Sequence, residues 1–221
     1  MLAPTTPNAP PAPDPGGAAH DRVYRTLRSR IMHGEIDPGA ALTLRGIGKE
    51  FGVSMTPARE AARRLVAEGA LTLSVSGRVS TPELSNDRIE ELASLRALLE
   101  TELATRALPR AHMALIDRLE SLNQTVAQAV ARKNASGYIR ANLEFHRTLY
   151  LRAQAPAILA MTETVWLQLG PTMAALYARL RRSEPPQYHR LILAALTAGD
   201  EPGLRLAVRS DVTQGLRMLK T

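Results

Sequence analysis

Between Leu44 and Glu68 two short apolar-periodic stretches meet at Gly52-Val53, and Pro57 stands just beyond the junction. Few folds accommodate that order. A glycine at such a junction ends one helix, and a proline in the first turn of the next loses nothing, because its missing amide hydrogen has no intrahelical partner there. The first stretch, Leu44 to Phe51, is weakened as a helix by Gly46 and Gly48, and Gly52 ends it. Ser54 or Thr56 caps the second, which runs to about Glu68 with Ala58, Ala61, Ala62 and Leu65 inward and Arg59, Arg63 and Arg64 largely outward. The pair reads as a helix-turn-helix.

Its flanks complete a larger unit. Val23, Leu27 and Ile31 recur at four-residue spacing from Asp21 to Met32, one face of a helix that Gly34 closes, and Asp37-Pro38-Gly39 is a turn. After Gly69, Leu71, Leu73 and Val75 alternate with Thr72, Ser74 and Ser76 in the period of a half-buried strand, which Ser76-Gly77 turns back toward Val79. Three helices followed by one small hairpin is the order of a winged helix-turn-helix. Pro82 marks its exit. The first twenty residues hold six prolines and no apolar periodicity, too little to offset the entropy of ordering. Residues 1–19 are therefore expected to be a disordered tail, 20–83 the winged helix, and 84–221 a second domain.

Beyond Ser85 the pattern is helix after helix. Ile89, Leu92, Leu95, Leu99 and Leu103 form a stripe on the first, and Pro109, Gly137, Pro156, Gly170-Pro171, Pro185-Pro186 and Gly199-Asp200 separate the rest. The count is six or seven helices, with no strand and no fixed-period repeat. The expected fold is thus mainly α, a winged helix-turn-helix joined to an all-α bundle.

A chain of 221 residues can build two modest cores. With no cysteine it has neither a disulfide framework nor a thiolate metal site, and a net charge of +7 fits a polyanionic partner. No run of eighteen apolar residues exists, and Met1 to Pro15 lacks a basic flank before an apolar core. Neither a membrane span nor a secretory signal is visible, and a cytoplasmic location is expected.

The second helix of the pair carries the chemistry of the first half. Its exposed N-terminus presents free amides and a positive dipole end to phosphate, with Ser54 and Thr56 at the tip. Arg59, one turn in, reaches a guanine edge with two hydrogen bonds, a contact worth about 1–3 kcal/mol of discrimination. This segment resembles the GntR family of regulators, whose pattern is gly-val-ser-arg-thr-pro-x-arg-glu-ala. Gly52, Val53, Ser54, Thr56, Pro57, Arg59, Glu60 and Ala61 fit it, as does Gly34-Glu35-Ile36-Asp37-Pro38-Gly39 upstream. The resemblance implies DNA contacts from Arg45, Ser54, Thr56 and Arg59 and from the wing tip Gly77-Arg78. Met55 departs from it, standing where the family has an arginine, and a thioether donates to neither guanine nor phosphate. Arg63 and Arg64 are open between DNA contact and solvated helix face.

Residues 86–219 resemble the FCD effector domain of the fatty-acid-regulator branch of that family, through Arg96 and Glu100, Asn142-Leu143-Glu144-Phe145-His146, Tyr188-His189-Arg190 and Gly199-Asp200. Many such domains hold a divalent metal with one aspartate and three histidines. Here Asn142 stands in the aspartate place and Asp211 falls where the last histidine belongs, while His146 and His189 remain. The implied set, Asn142, His146, His189 and Asp211, suits zinc, nickel or another borderline ion with reduced affinity. Arg96 either captures the carboxylate of an effector or pairs with Glu100 along the helix. His20, His33 and His112 match nothing and are assigned to tail, helix end and loop surface.

Together these imply a transcription regulator, a repressor by expectation, that binds a palindromic operator as a homodimer and responds to a small organic acid, with no membrane partner and no enzymatic activity. Two alternatives remain: a metal-dependent enzyme built on the helical domain, and a sequence-indifferent DNA-binding protein.

Overall fold

The computed structural model describes residues 15–74, 78–180 and 187–217. The first helix, α1 (Pro15–Met32), buries Val23, Leu27 and Ile31 as their spacing requires. It opens at Pro15, ahead of the expected Asp21, so residues 15–19 extend it rather than the tail, and His20 lies on the helix. Gly34, at φ +66°, closes it in the left-handed conformation, and the Glu35 amide returns to the Arg30 carbonyl at 2.9 Å.

The helix-turn-helix follows. Thr43 caps α2 (Leu44–Phe51), its hydroxyl accepting from the Gly46 amide at 2.9 Å, and Gly52 ends that helix at φ +63°. The next helix, α3 (Met55–Ala67), buries Ala58, Ala61, Ala62 and Leu65. Ser54 holds its N-cap position, yet neither expected capping bond forms: the Ser54 side chain makes none, and Thr56 lies inside the first turn.

The wing is a three-stranded antiparallel sheet in the order β1 (Ala41–Leu42), β3 (Val79–Ser80), β2 (Thr72–Leu73). Two expectations change here. Strand β1 went unread, because two residues show no alternation; Ala40 and Thr81 extend its pairing through a 3.1 Å bond. The alternation read from Leu71 onward does not hold, since Leu71 is buried while Leu73 is 55% exposed. The hairpin is closed by the Ser74 amide on the Arg78 carbonyl at 2.9 Å, whereas Val75, Ser76 and Gly77, the expected turn and wing tip, lie outside the described residues.

The second half is α4 (Asn86–Ala107), α5 (Met113–Ala131), α6 (Ala135–Tyr150), α7 (Pro156–Leu180), α8 (Gln187–Ala198) and α9 (Glu201–Arg217), six helices with no strand among the described residues. Helix α4 packs along α9 and α7, and α5 along α6. Side chains cap four of these helices: Ser85 for α4, His112 for α5, Asn134 for α6 and Asp200 for α9.

Three sequence expectations are corrected. Gly137 does not divide segments but sits in the first turn of α6, its amide on the Asn134 side chain at 2.9 Å. Gly170-Pro171 does not break α7, which runs through both. A Cβ at Gly170 would stand 2.3 Å from the Ile31 carbonyl oxygen, so this glycine is where α7 meets the end of α1. The α4 stripe is rotated as well: Ile89, Leu92 and Leu103 are buried, but Leu95 is 38% exposed, and Arg96 and Glu100 occupy the inner face. Pro185-Pro186 lie outside the described residues.

One apolar core runs through both halves, from Val23, Leu27 and Ile31 to Trp166 and Leu167. Polar contacts add to that seat. Gln168 of α7 donates to the Glu68 carbonyl at 2.9 Å and accepts from Arg88 at 3.0 Å, and Glu163 faces Arg28 at 3.8 Å and Arg147 at 3.0 Å.

Candidate functional site

The first candidate surface is the N-terminal end of α3. Ser54, Met55, Thr56 and Arg59 are exposed there, Arg45 is exposed on α2, and Arg78 is exposed at the base of the wing. What separates the arginines is their pairing. Arg45, Arg59 and Arg78 form no ion pair with a described residue, whereas Arg30 is held by Glu50 at 2.6 Å and Arg63 faces Glu60 at 3.7 Å. Arg64 bonds Asp21 at 2.6 Å, and its guanidinium lies 3.8 Å from the centre of the Tyr24 ring. That side chain ties α3 to α1. An arginine already neutralised by a carboxylate has less to offer a phosphate than one facing water.

The second site lies inside the helical bundle. Helix α6 supplies His146, α8 supplies His189, and α9 supplies Asp211; one ligand atom from each lies within 4.8 Å of the others. Both imidazoles are fully buried. His146 Nε2 is 2.9 Å from Asp211 Oδ2, and His189 Nε2 is 3.9 Å from the same oxygen. Phe145 stacks on His189 with ring centroids 4.0 Å apart and fixes its plane. Asn142 stands one turn before His146 on α6 and is half-buried.

Hydrogen bonds decide which nitrogens are available. His189 Nδ1 lies 3.1 Å from the Asn123 amide oxygen, which can only accept, so Nδ1 carries the hydrogen and Nε2 is left with a lone pair. That buried Nε2 has no hydrogen-bond partner. His146 Nδ1 meets the Tyr150 hydroxyl at 3.1 Å, and that hydroxyl donates to Glu100 Oε2 at 3.0 Å. The donor set suits a divalent ion: two imidazole nitrogens and a carboxylate oxygen lie within 4.8 Å of one another, small shifts bring them to the separations of about 3.0–3.4 Å expected of ligands about 2.1 Å from a common centre, and an orphaned buried lone pair gains a partner.

Electrostatics agree. Burial lowers the His189 pKa to about 4, against the pull of Asp211 and with help from His146, so its imidazole is neutral at pH 7. Burial pushes Asp211 upward, but the His146 hydrogen bond, both imidazoles and Arg96 outweigh it and hold the carboxyl below its usual value. A neutral imidazole at His189 and an ionised carboxylate at Asp211 are forms that bind metal.

Beside this set, Arg96 Nε bonds Glu100 Oε1 at 2.5 Å, so the helical pair expected as one alternative is present. It is not the weak surface pair the spacing alone implies, for both side chains are almost wholly buried. Glu100 also accepts from Trp166 Nε1 at 2.9 Å. Sequence reasoning missed Tyr150, Trp166 and Asn123. The four-residue step from His146 to Tyr150 carried a signal, whereas Asn123 had none. Of the remaining histidines, His33 meets Ser29 at the end of α1 and His112 caps α5.

Residues 19–79 match the bacterial regulatory proteins of the gntR family, and residues 91–214 match the FCD domain. The HTH-type transcriptional regulator McbR of Escherichia coli K12 is 27% identical over 201 residues, 90% of this chain and 91% of its own. The gluconate operon transcriptional repressor of Bacillus subtilis 168 is 30% identical over 152 residues, 69% of this chain and 60% of its own. Among solved structures, E. coli McbR/YncC gives a TM-score of 0.81 at 27% identity, covering 91% of this chain and 97% of that one. A putative transcriptional regulator GntR from Rhodococcus sp. RHA1 gives 0.76 at 19% identity over 92% and 98%, a likeness of fold alone. These relatives are transcription regulators and not enzymes.

Proposed function

Because the chain belongs to the GntR family of bacterial transcription regulators, in the branch that carries an FCD domain, we propose that it reads a palindromic operator as a homodimer and represses, with a small organic acid as effector. DNA binding by a regulator of this family is the shared activity; operator, dimer and effector are our reading. In it, residues 20–83 read DNA, residues 84–221 bind effector and dimerise, and the protein works in the cytoplasm beside its DNA. Among the described residues no helix is long and apolar enough to cross a membrane.

The single observation that carries the DNA reading is the unpaired, exposed Arg59 one turn into α3, with Ser54 and Thr56 exposed at the same helix end. Arg59 reads a base edge; Arg45, Ser54, Thr56, Gly77 and Arg78 hold phosphate and sugar and set the register. Two copies of α3 on a twofold axis would meet successive major grooves. Leu98 on α4 and Leu206 on α9 flank an apolar groove and are about 70% exposed, which supports coverage by a second copy.

In the effector half, His146, His189 and Asp211, with Asn142 one turn before His146, would hold a divalent ion such as zinc or nickel. That ion would supply a Lewis-acid anchor for a carboxylate. Arg96 keeps its Nε on Glu100 and offers its terminal amino groups to the same carboxylate. The acid acts only through its difference in affinity between two orientations of the reading heads. The Bacillus subtilis relative is named for the operon of gluconate, itself a small hydroxy acid, which fits that ligand class and the repressor reading.

The test is Arg59→Ala against an operator selected from random duplexes. A loss of about 1–3 kcal/mol in discrimination against unselected DNA is expected, with non-specific affinity nearly kept. Equal discrimination by the variant would overturn the assignment, and wild-type protein that selects no sequence would return the reading to sequence-indifferent binding.

A further inference from the structure

The Tyr150 hydroxyl has two acceptors within reach, His146 Nδ1 at 3.1 Å and Glu100 Oε2 at 3.0 Å, and one hydrogen to give. The ring nitrogen of His146 that carries the hydrogen decides which it serves. While Nε2 is a ligand, the ring hydrogen sits on Nδ1 and points at the Tyr150 oxygen, so the hydroxyl turns to Glu100. When Nε2 instead donates to Asp211, 2.9 Å away, Nδ1 is bare and competes with Glu100 for the hydroxyl hydrogen. Glu100 Oε2 then holds that donor only against a rival, inside a fully buried site.

The other oxygen of Glu100 holds the Trp166 indole at 2.9 Å, and Trp166 belongs to the helix on which the winged helix sits. Around it on α7, Glu163 faces Arg28 of α1, Gln168 holds the Glu68 carbonyl at the end of α3, and Gly170 abuts the last carbonyls of α1. The indole itself lines a cleft between the halves together with Arg28, Ser29 and Met32. Hydrogen bonds thus run from the ligand cluster to Trp166, which shares one apolar core and one cleft with the seat of the reading head.

We infer that the Tyr150 hydroxyl is a positioning group: it reports occupancy of the His146, His189 and Asp211 site to Glu100 and Trp166, and through α7 to the seat of the winged helix. This rests on the metal reading given above. The switch is a hydrogen changing acceptor, a two-state element of the kind that coupling between distant sites requires.

Trp166 is the only tryptophan of the chain, so the protein's indole emission reports on it directly. Zinc, which has a filled d shell, is titrated into chelator-treated full-length protein. Wild type is expected to change its emission until one zinc per chain is bound, and to change amide exchange over residues 28–34 about threefold. Tyr150→Phe keeps the ring and all the ligands; it is expected to bind zinc within about tenfold of wild type but to lose both responses at saturating zinc. Trp166→Phe serves as the second variant, keeping zinc and losing the exchange response. Zinc-loaded Tyr150→Phe that responds like wild type overturns the inference, as does zinc bound by wild type with no response. Wild type that takes up no zinc overturns the metal reading itself, a result told apart from the others by elemental analysis.

Discussion

Replacing Gly170 with alanine places a methyl group between two backbones. Its carbon would stand 2.3 Å from the Ile31 carbonyl oxygen and 2.5 Å from that of Met32, where an ordinary carbon–oxygen contact is about 3.3 Å or more. One helix must retreat by about 1 Å, and neither yields like the tip of a flexible side chain. Overpacking of this kind costs about 1–3 kcal/mol, and main chain on both sides argues for the upper half of that range. Alanine is the better helix former by about 1 kcal/mol, which offsets part of it. The net expectation is a loss of about 1–2 kcal/mol, or about 2–8 °C in Tm for a chain of this length. Thermal unfolding by circular dichroism, with and without zinc, measures it. Because the strain falls on the seat between the halves, the transition is also expected to broaden or split, the reading head melting first. A variant as stable as wild type, with one sharp transition, would show that α1 and α7 do not approach this closely and would refute the reasoning.

His189→Ala removes one of the converging lone pairs; wild type at zinc about a hundredfold above its Kd should gain about 2.7 kcal/mol of stability, and the variant should gain none of it, as a thermal-shift titration reads. In metal-free wild type the buried His189, with its pKa lowered to about 4, binds fewer protons folded than unfolded. Its contribution is complete above about pH 6.5 and shrinks as pH falls toward about 4, by up to about 3 kcal/mol. Asp211, also held below its ordinary value, works in the same direction at lower pH. Urea unfolding across that window should show the decline, and a flat profile contradicts it. Met55→Arg adds a cation at an exposed position at the N-terminal end of α3; it should tighten DNA binding and steepen the slope of log affinity against log salt by about 1, whereas an unchanged slope would place residue 55 away from the phosphates.

The helix-turn-helix was legible because its signals are local. Gly52, Pro57 and the four buried positions of α3 each act within one or two turns of the chain. The same local logic failed where a distant segment decided the outcome. Gly170-Pro171 has the composition of a break, yet the end of α1, far away in sequence, needs a residue without a side chain there, and α7 continues. Arg96 and Glu100 have the composition of a surface pair, and only the arrival of Tyr150 and Trp166 from other helices makes that face an interior. The two-residue strand β1 is fixed by its partner β3 rather than by its own alternation. At the candidate metal site, the convergence of His146, His189 and Asp211 was legible through the resemblance. Which nitrogen of the His189 ring is free was not, because Asn123 settles that from outside the motif.

A chimaera cut at Ser85 would respect the order of the chain and still sever a continuous oily interior, leaving Ile31 and Met32 of one parent pressed against an unfamiliar helix. Grafting this reading head onto another sensor therefore demands that the recipient present a bare backbone where Gly170 stands, with an amide side chain near it to meet Glu68. Exchange of specificities among such regulators is constrained less by the linker than by one turn of α7.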